Sequence, residues 1–392
     1  LQPGAGNAAS PLSIPIHNQL STRPMIRRSI LVFAVFGLAA CAGEDPSDSP
    51  EIPEADGAMT IGAGESFADV PEEVRLRNVR QLTFDGENAE AYFSYDGTQL
   101  TFQRTERTEG SCDRIWRMDL ATGDTTAVST GEGRTTCSYF FPGDDRIIFA
   151  STHAELDVCP APPDMRQGYV WALYPEYDLW ATDPDGSNPV RITDAPGYDA
   201  EATISPVEDR MVFTSVRDGD LELYSANLDG SDMVRLTDRI GYDGGAFFSP
   251  DGSQIVWRAH YPETDEDIAD YQRLLDQGLI RPSALEVYVM DADGSNVRQV
   301  TDNGAANFGP FWHPDGERII FSSNQGDPSG REFDLYMINV DGTGEERITY
   351  TGDFDGFPMF SPDGRYLVWG SNRNPSHEAN TNLFIAEWVE NP

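Results

Sequence analysis

The stretch Phe308–Thr349 reads FGPFWHPDGERIIFSSNQGDPSGREFDLYMINVDGTGEERIT. A short apolar run leads into a PDG turn, then the run Arg318–Ser322, a variable loop, the run Asp334–Val340, a DGT turn and a closing RIT. Gly tolerates positive φ and Asp bonds its own backbone, so each PDG or DGT is a tight turn. Two such turns between β-type runs predict a four-stranded meander, strands a to d.

The unit recurs along the chain. The closing strand returns as VRQLT (Val79–Thr83), TAVST (Thr126–Thr130), VRIT (Val190–Thr193), VRLT (Val234–Thr237), VRQVT (Val297–Thr301) and ERIT (Glu346–Thr349). The first turn returns from YDG (Tyr95–Gly97) to SPDG (Ser361–Gly364). A period of roughly 45 residues with four strands per unit is the signature of a β-propeller. The sixth copy ends at Asn382–Val389 without a closing strand, whereas VRQLT precedes any first strand. The expected fold is therefore all-β: a six-bladed β-propeller of four-stranded antiparallel blades, closed by an N-terminal strand that completes the last blade and removes the exposed edges.

Read in phase, SPDG…IVW…LEVYVMDADGSNVRQVTD resembles the WD40-like repeat of the TolB C-terminal propeller family, over residues 78–392. The resemblance implies a propeller of the cell envelope. It departs from TolB itself in having no small α/β domain ahead of the ring.

The 27 basic residues, all Arg, face 66 acidic ones, for a net charge of -39. No basic stripe exists to release counterions, so nucleic acid is excluded as a partner. Ahead of the repeats, Met25-Ile26-Arg27-Arg28 and the apolar run Ile30–Leu38 end in Leu38-Ala39-Ala40-Cys41. The run is too short to span a bilayer, and its pattern resembles a bacterial lipobox with Cys41 as the lipidated residue. Residues 1–24 read as an upstream leader, 25–40 as the signal peptide and 41–77, rich in Glu, Asp, Pro, Gly and Ser, as a disordered acidic tether. This resemblance implies a periplasmic or cell-surface lipoprotein of the outer membrane, and a monomer is expected.

All tight turns fall on one face of such a ring and all long insertions on the other. The largest b-to-c loops are His153–Tyr177 in blade 2 and His260–Leu285 in blade 4, and binding residues usually occupy such loops. In blade 4, Ile268, Tyr271, Leu274 and Leu275 are spaced for one face of a helix over Asp265–Gly278, serving either as rim packing or as a lid. His153, His260, Tyr271 and Arg373 are the loop-face candidates.

Strand a opens with Asn88, Thr135, Asp199, Asp243, Asn307 and Asp355 in turn, with Glu90 and Glu201 two residues further in. These predict a polar ring at the channel mouth, contacting a partner. Asp199, Asp243 and Asp355 are candidates for calcium or another divalent cation; otherwise the Asx residues simply cap turns. No other cofactor is expected.

Beyond Cys41, the cysteines are Cys112, Cys137 and Cys159. Export favours a disulfide, with three pairings open; Cys137–Cys159 is preferred because it would clamp the long blade 2 loop. Adding His153 suggests a Cys₃His metal site, and His153, His260 and His377 suggest another, against the plainer reading of exposed loop residues. G-x-S-x-G, P-loop, Rossmann and H-E-x-x-H patterns are absent, which excludes a peptidase. The expectation is a non-enzymatic module binding an envelope protein, peptide or glycan through its loop face. The alternative is a propeller enzyme of the polysaccharide lyase or glycoside hydrolase type on the same face.

Overall fold

The computed structural model describes residues 59–392 apart from 109, 328 and 376–379. Expectations for the leader, the signal peptide, Cys41, the first part of the tether and His377 lie outside the described residues.

Each repeat folds as its turns dictate. Blade 1 runs Glu87–Phe93, Gln99–Thr105, Arg114–Asp119, Thr125–Ala127, and blades 2 to 5 follow as four-stranded antiparallel sheets. Blade 6 takes strands a to c from Asp355–Phe360, Tyr366–Ser371 and Asn382–Trp388. Its fourth strand is Leu76–Gln81, which pairs with Asn382–Trp388 in the register Leu76↔Trp388 and Gln81↔Phe384. The ring closes as its repeat count requires.

The Thr that ends each repeat has a physical role. Its hydroxyl accepts from a strand c N–H of its own blade: Thr193 from Leu179, Thr237 from Leu223, Thr301 from Val287 and Thr349 from Leu335, at 2.8–2.9 Å. Ser129 does this in blade 1, accepting from Ile115 at 3.1 Å. In blade 6 Thr83 accepts from Leu383 at 2.9 Å, so the seam reproduces the contact of every other blade.

The tether read from composition extends too far. Met59, Ile61 and Ala63 pack into the apolar core of the ring, and Glu65–Ser66 adds a fifth strand to blade 6 beside Leu76–Gln81. Glu73 lies wholly inside, bound to Arg373. Acidic, Gly-rich composition is a poor guide here because the ring itself supplies the missing apolar surface and the cation. The helix forms at Asp265–Leu275, with Thr264 as N-cap accepting from the Asp267 N–H. Among the described residues no helix is long and apolar enough to cross a membrane.

Candidate functional site

Strand a carries the axis of the ring, and every strand a breaks its register at one bulge. The residue two places after each ring position is forced into left-handed backbone: Glu90 (φ 52°), Cys137 (47°), Glu201 (59°), Gly245 (61°), Gly309 (58°) and Phe357 (56°). All six line one axial cavity of about 20 Å³, room for roughly one water. Two residues further along strand a, Tyr92, Tyr139, Phe247 and Phe311 meet ring to ring, with centroids 5.1–6.1 Å apart, and plug the axis below it.

Within this cavity Glu201 Oε2 accepts from Thr214 Oγ1 and from the Gly245 N–H, each at 2.9 Å, while Oε1 pairs with Arg258. A Cβ on Gly245 would stand 1.8 Å from Arg258 Nη1, so blade 4 needs glycine there to admit the guanidinium. Glu90 Oε2 has no hydrogen-bond partner. Burial lifts the Glu90 pKa to about 7, against a hydrogen bond from the Cys137 thiol. Burial, with Glu90 and Glu201 beside it, holds the Cys137 thiol protonated, which removes its nucleophilic character.

The ring residues are not a solvated mouth. Asn88, Thr135, Asp199, Asp243, Asn307 and Asp355 are all at most 1% exposed. Asp199 is held by Arg217 and Asp355 by Arg373, at 2.9–3.1 Å. Asp243 accepts from Trp257 Nε1 and Tyr261 Oη, both at 2.6 Å. Each partner on this list except Trp257 sits eighteen residues after its acid, at the end of strand b of the same blade. That spacing was visible in the repeat alignment and could have found these pairs. Among the described residues no three His, Cys, Asp or Glu are grouped to hold a metal ion.

The loop-face candidates are also scattered. Arg373, whose side chain is 1% exposed, clamps Glu73 and Asp355 rather than meeting a partner. Tyr271 is buried, and its single hydroxyl proton lies between Asp220 and the Gly241 carbonyl, tying the helix to the rim. His153 packs on Trp180 with ring centroids 4.2 Å apart, and burial lowers its pKa. His260 Nδ1 lies 3.0 Å from the Ala284 carbonyl.

The disulfide joins Cys112 to Cys159, correcting the expected Cys137–Cys159 pair. The bulge turns Cys137 into the axis, where it stays free, while Cys112 and Cys159 meet between the insertions of neighbouring blades. A Cys₃His site is ruled out by the same arrangement.

Sequence reasoning missed how the insertions interlock. Trp171–Ala172 of blade 2 pairs antiparallel with Leu279–Ile280 of blade 4, bridging the short b-to-c turn of blade 3. Trp171 also covers the axis: the Arg258 guanidinium lies 5.5 Å from its ring centroid and 5.6 Å from that of Tyr242. Beside this strap runs an open groove of about 610 Å³, lined by Pro163, Leu173, Tyr174, Val216, Leu275 and Leu279 among others.

These features define an all-β six-bladed propeller with a plugged axis and insertions on one face. The sequence model of the TolB beta propeller domain matches residues 270–383. Among solved structures, a putative TolB from Agrobacterium tumefaciens is 18% identical, with a TM-score of 0.50 over 78% of this chain and 91% of that one. TolB from Acinetobacter baumannii is likewise 18% identical at a TM-score of 0.50, over 78% of this chain and 64% of that one. An oligogalacturonate lyase from Vibrio parahaemolyticus is 15% identical, with a TM-score of 0.49 over 83% of this chain and 97% of that one. No curated protein shows significant sequence similarity. At these identities the likeness is one of fold: the chain is a TolB-like six-bladed β-propeller.

Proposed function

We propose that this protein is a lipid-anchored envelope module that binds a protein, peptide or glycan partner through its loop face. One relationship carries the reading: the chain enters the ring on the face opposite its insertions. Met59 packs against Gly97 and the Gly62 and Ala63 N–H groups bond the Leu120 carbonyl, all at the tight turns of blade 1. A chain anchored at Cys41 would thus join the ring on its turn face and leave the strap and groove free. A rigid scaffold bearing clamped loops suits binding, because little ordering is lost on association.

The axial cavity, at about 20 Å³, admits no sugar ring, so the enzymatic alternative would also have to work from the loop face. Two experiments test the proposal. Cys41→Ser should move the protein from the membrane to the soluble fraction; unchanged fractionation sinks the anchor. The intact protein should capture an envelope partner, and replacing residues 153–177 and 260–285 by short turns should abolish capture. Turnover of an oligosaccharide without any captured partner would favour the enzyme instead.

A further inference from the structure

Resting on that reading, we infer that the groove beside the strap docks a polypeptide segment in which apolar side chains are flanked by Arg or Lys. Its volume of about 610 Å³ falls in the range of specific binding clefts and holds several side chains. The lining is mostly apolar, from Pro163 and Leu173 of blade 2, Val216 of blade 3 and Leu275 and Leu279 of blade 4. The same blade 2 insertion also carries Val158, Met165 and Tyr169, which are 73%, 48% and 67% exposed. Such a patch on a chain this acidic is a recognition surface in character.

Charge decides what the occupant carries. The insertion at residues 260–285 holds six carboxylates against two arginines, and that at 153–177 holds four against one. Those arginines are already engaged: Arg166 with Asp164, and Arg273 and Arg281 with Asp270. Asp276 lines the groove and Glu176 follows its lining residue Pro175, and neither has an ion-pair partner among the described residues. A fatty acid would set its carboxylate against this rim, and a glycan would find few polar groups in the lining. A cationic, apolar peptide segment complements both features.

The groove is also held ready. The Cys112–Cys159 disulfide fastens one wall, and the pairing of Trp171–Ala172 with Leu279–Ile280 joins that wall to the other. A pre-formed groove avoids the ordering cost of loop closure.

The test uses the full chain and three synthetic peptides of about 15 residues, long enough for an amphipathic segment: Leu/Arg, Leu/Glu and Ser/Arg. The comparison protein is the double variant Ala161→Arg, Asp276→Arg, both exposed positions, with its melting temperature checked against wild type. The Leu/Arg peptide should bind wild type, at least tenfold more weakly to the double variant, and the other two peptides should not bind measurably. Equal binding to both proteins, equal binding of the Ser/Arg peptide, or no binding at all overturns the inference. Capture of the same envelope partner by wild type and double variant alike overturns the groove while leaving the binding-module reading intact. Capture by neither overturns that reading, and the peptide titration still decides the groove.

Discussion

Glu73 and Arg373, three hundred residues apart in sequence, form an ion pair at 3.0 Å with side chains 0% and 1% exposed. The same guanidinium reaches Asp355 at 3.0 Å and stacks over Trp369, 5.0 Å from its ring centroid. The pair bolts the segment before the closing strand onto blade 6, so the seam is held by charge as well as by the ladder.

Arg373→Ala should therefore destabilise the ring by about 3–5 kcal/mol, because it leaves two buried carboxylates uncompensated. Chemical denaturation measures this. A loss no larger than that of an exposed control such as Arg365→Ala would mean the seam does not depend on the pair.

The disulfide encloses a loop with a sequence separation of 47. Cys159→Ser should lower stability by up to about 4 kcal/mol on the chain-entropy account. In a Cys41→Ser background the native protein should show no thiol reactive toward a chromogenic disulfide reagent. Unfolding without reductant should release one, Cys137. A rapidly reacting native thiol would contradict its burial at the axis.

Glu90 gives a pH dependence of defined sign. Its folded pKa of about 7 lies above the ordinary 4.5, so the folded state favours its protonated form. That contribution is full below about pH 4.5 and is lost as pH rises through about 7. Glu90→Gln stays neutral, so its melting temperature should gain on wild type by a few degrees at pH 8 and by little at pH 4.5. A pH-independent difference would refute the assignment.

Gly245→Ala places a side chain at left-handed backbone and on Arg258. The backbone strain costs about 1–2 kcal/mol, and displacement of Arg258 from Glu201 adds to it. Gly304→Ala, also at positive φ (66°) but with nothing within 4 Å of the added Cβ, should cost only the backbone part. Equal losses at the two sites would show that Arg258 does not require the glycine.

Legibility differed between fold and site. The turns at Tyr95–Gly97 and Ser361–Gly364, the alternating runs and the closing Thr are local signals, and they specify blade number and strand order directly. Asp199 and Asp355 fall in phase as a ring, but their burial is not legible there, because the arginines that cover them stand beyond the far end of strand b. The place of Cys137 is hidden for a related reason. The bulge that turns it to the axis is a property of the strand pair, and nothing in Thr135–Phe140 alone announces it.

By itself the sequence determined the six blades, the strand that closes them and the face that bears the insertions, since each depends on chemistry within a few residues or on counting copies. The tertiary structure alone decided that Met59–Arg77 packs against blades 5, 6 and 1, that Cys112 takes Cys159, that the strap joins blades 2 and 4, and that an acidic-rimmed apolar groove lies beside it. Those features arise where distant side chains converge across blades, and convergence depends on curvature, bulges and burial that no single repeat contains.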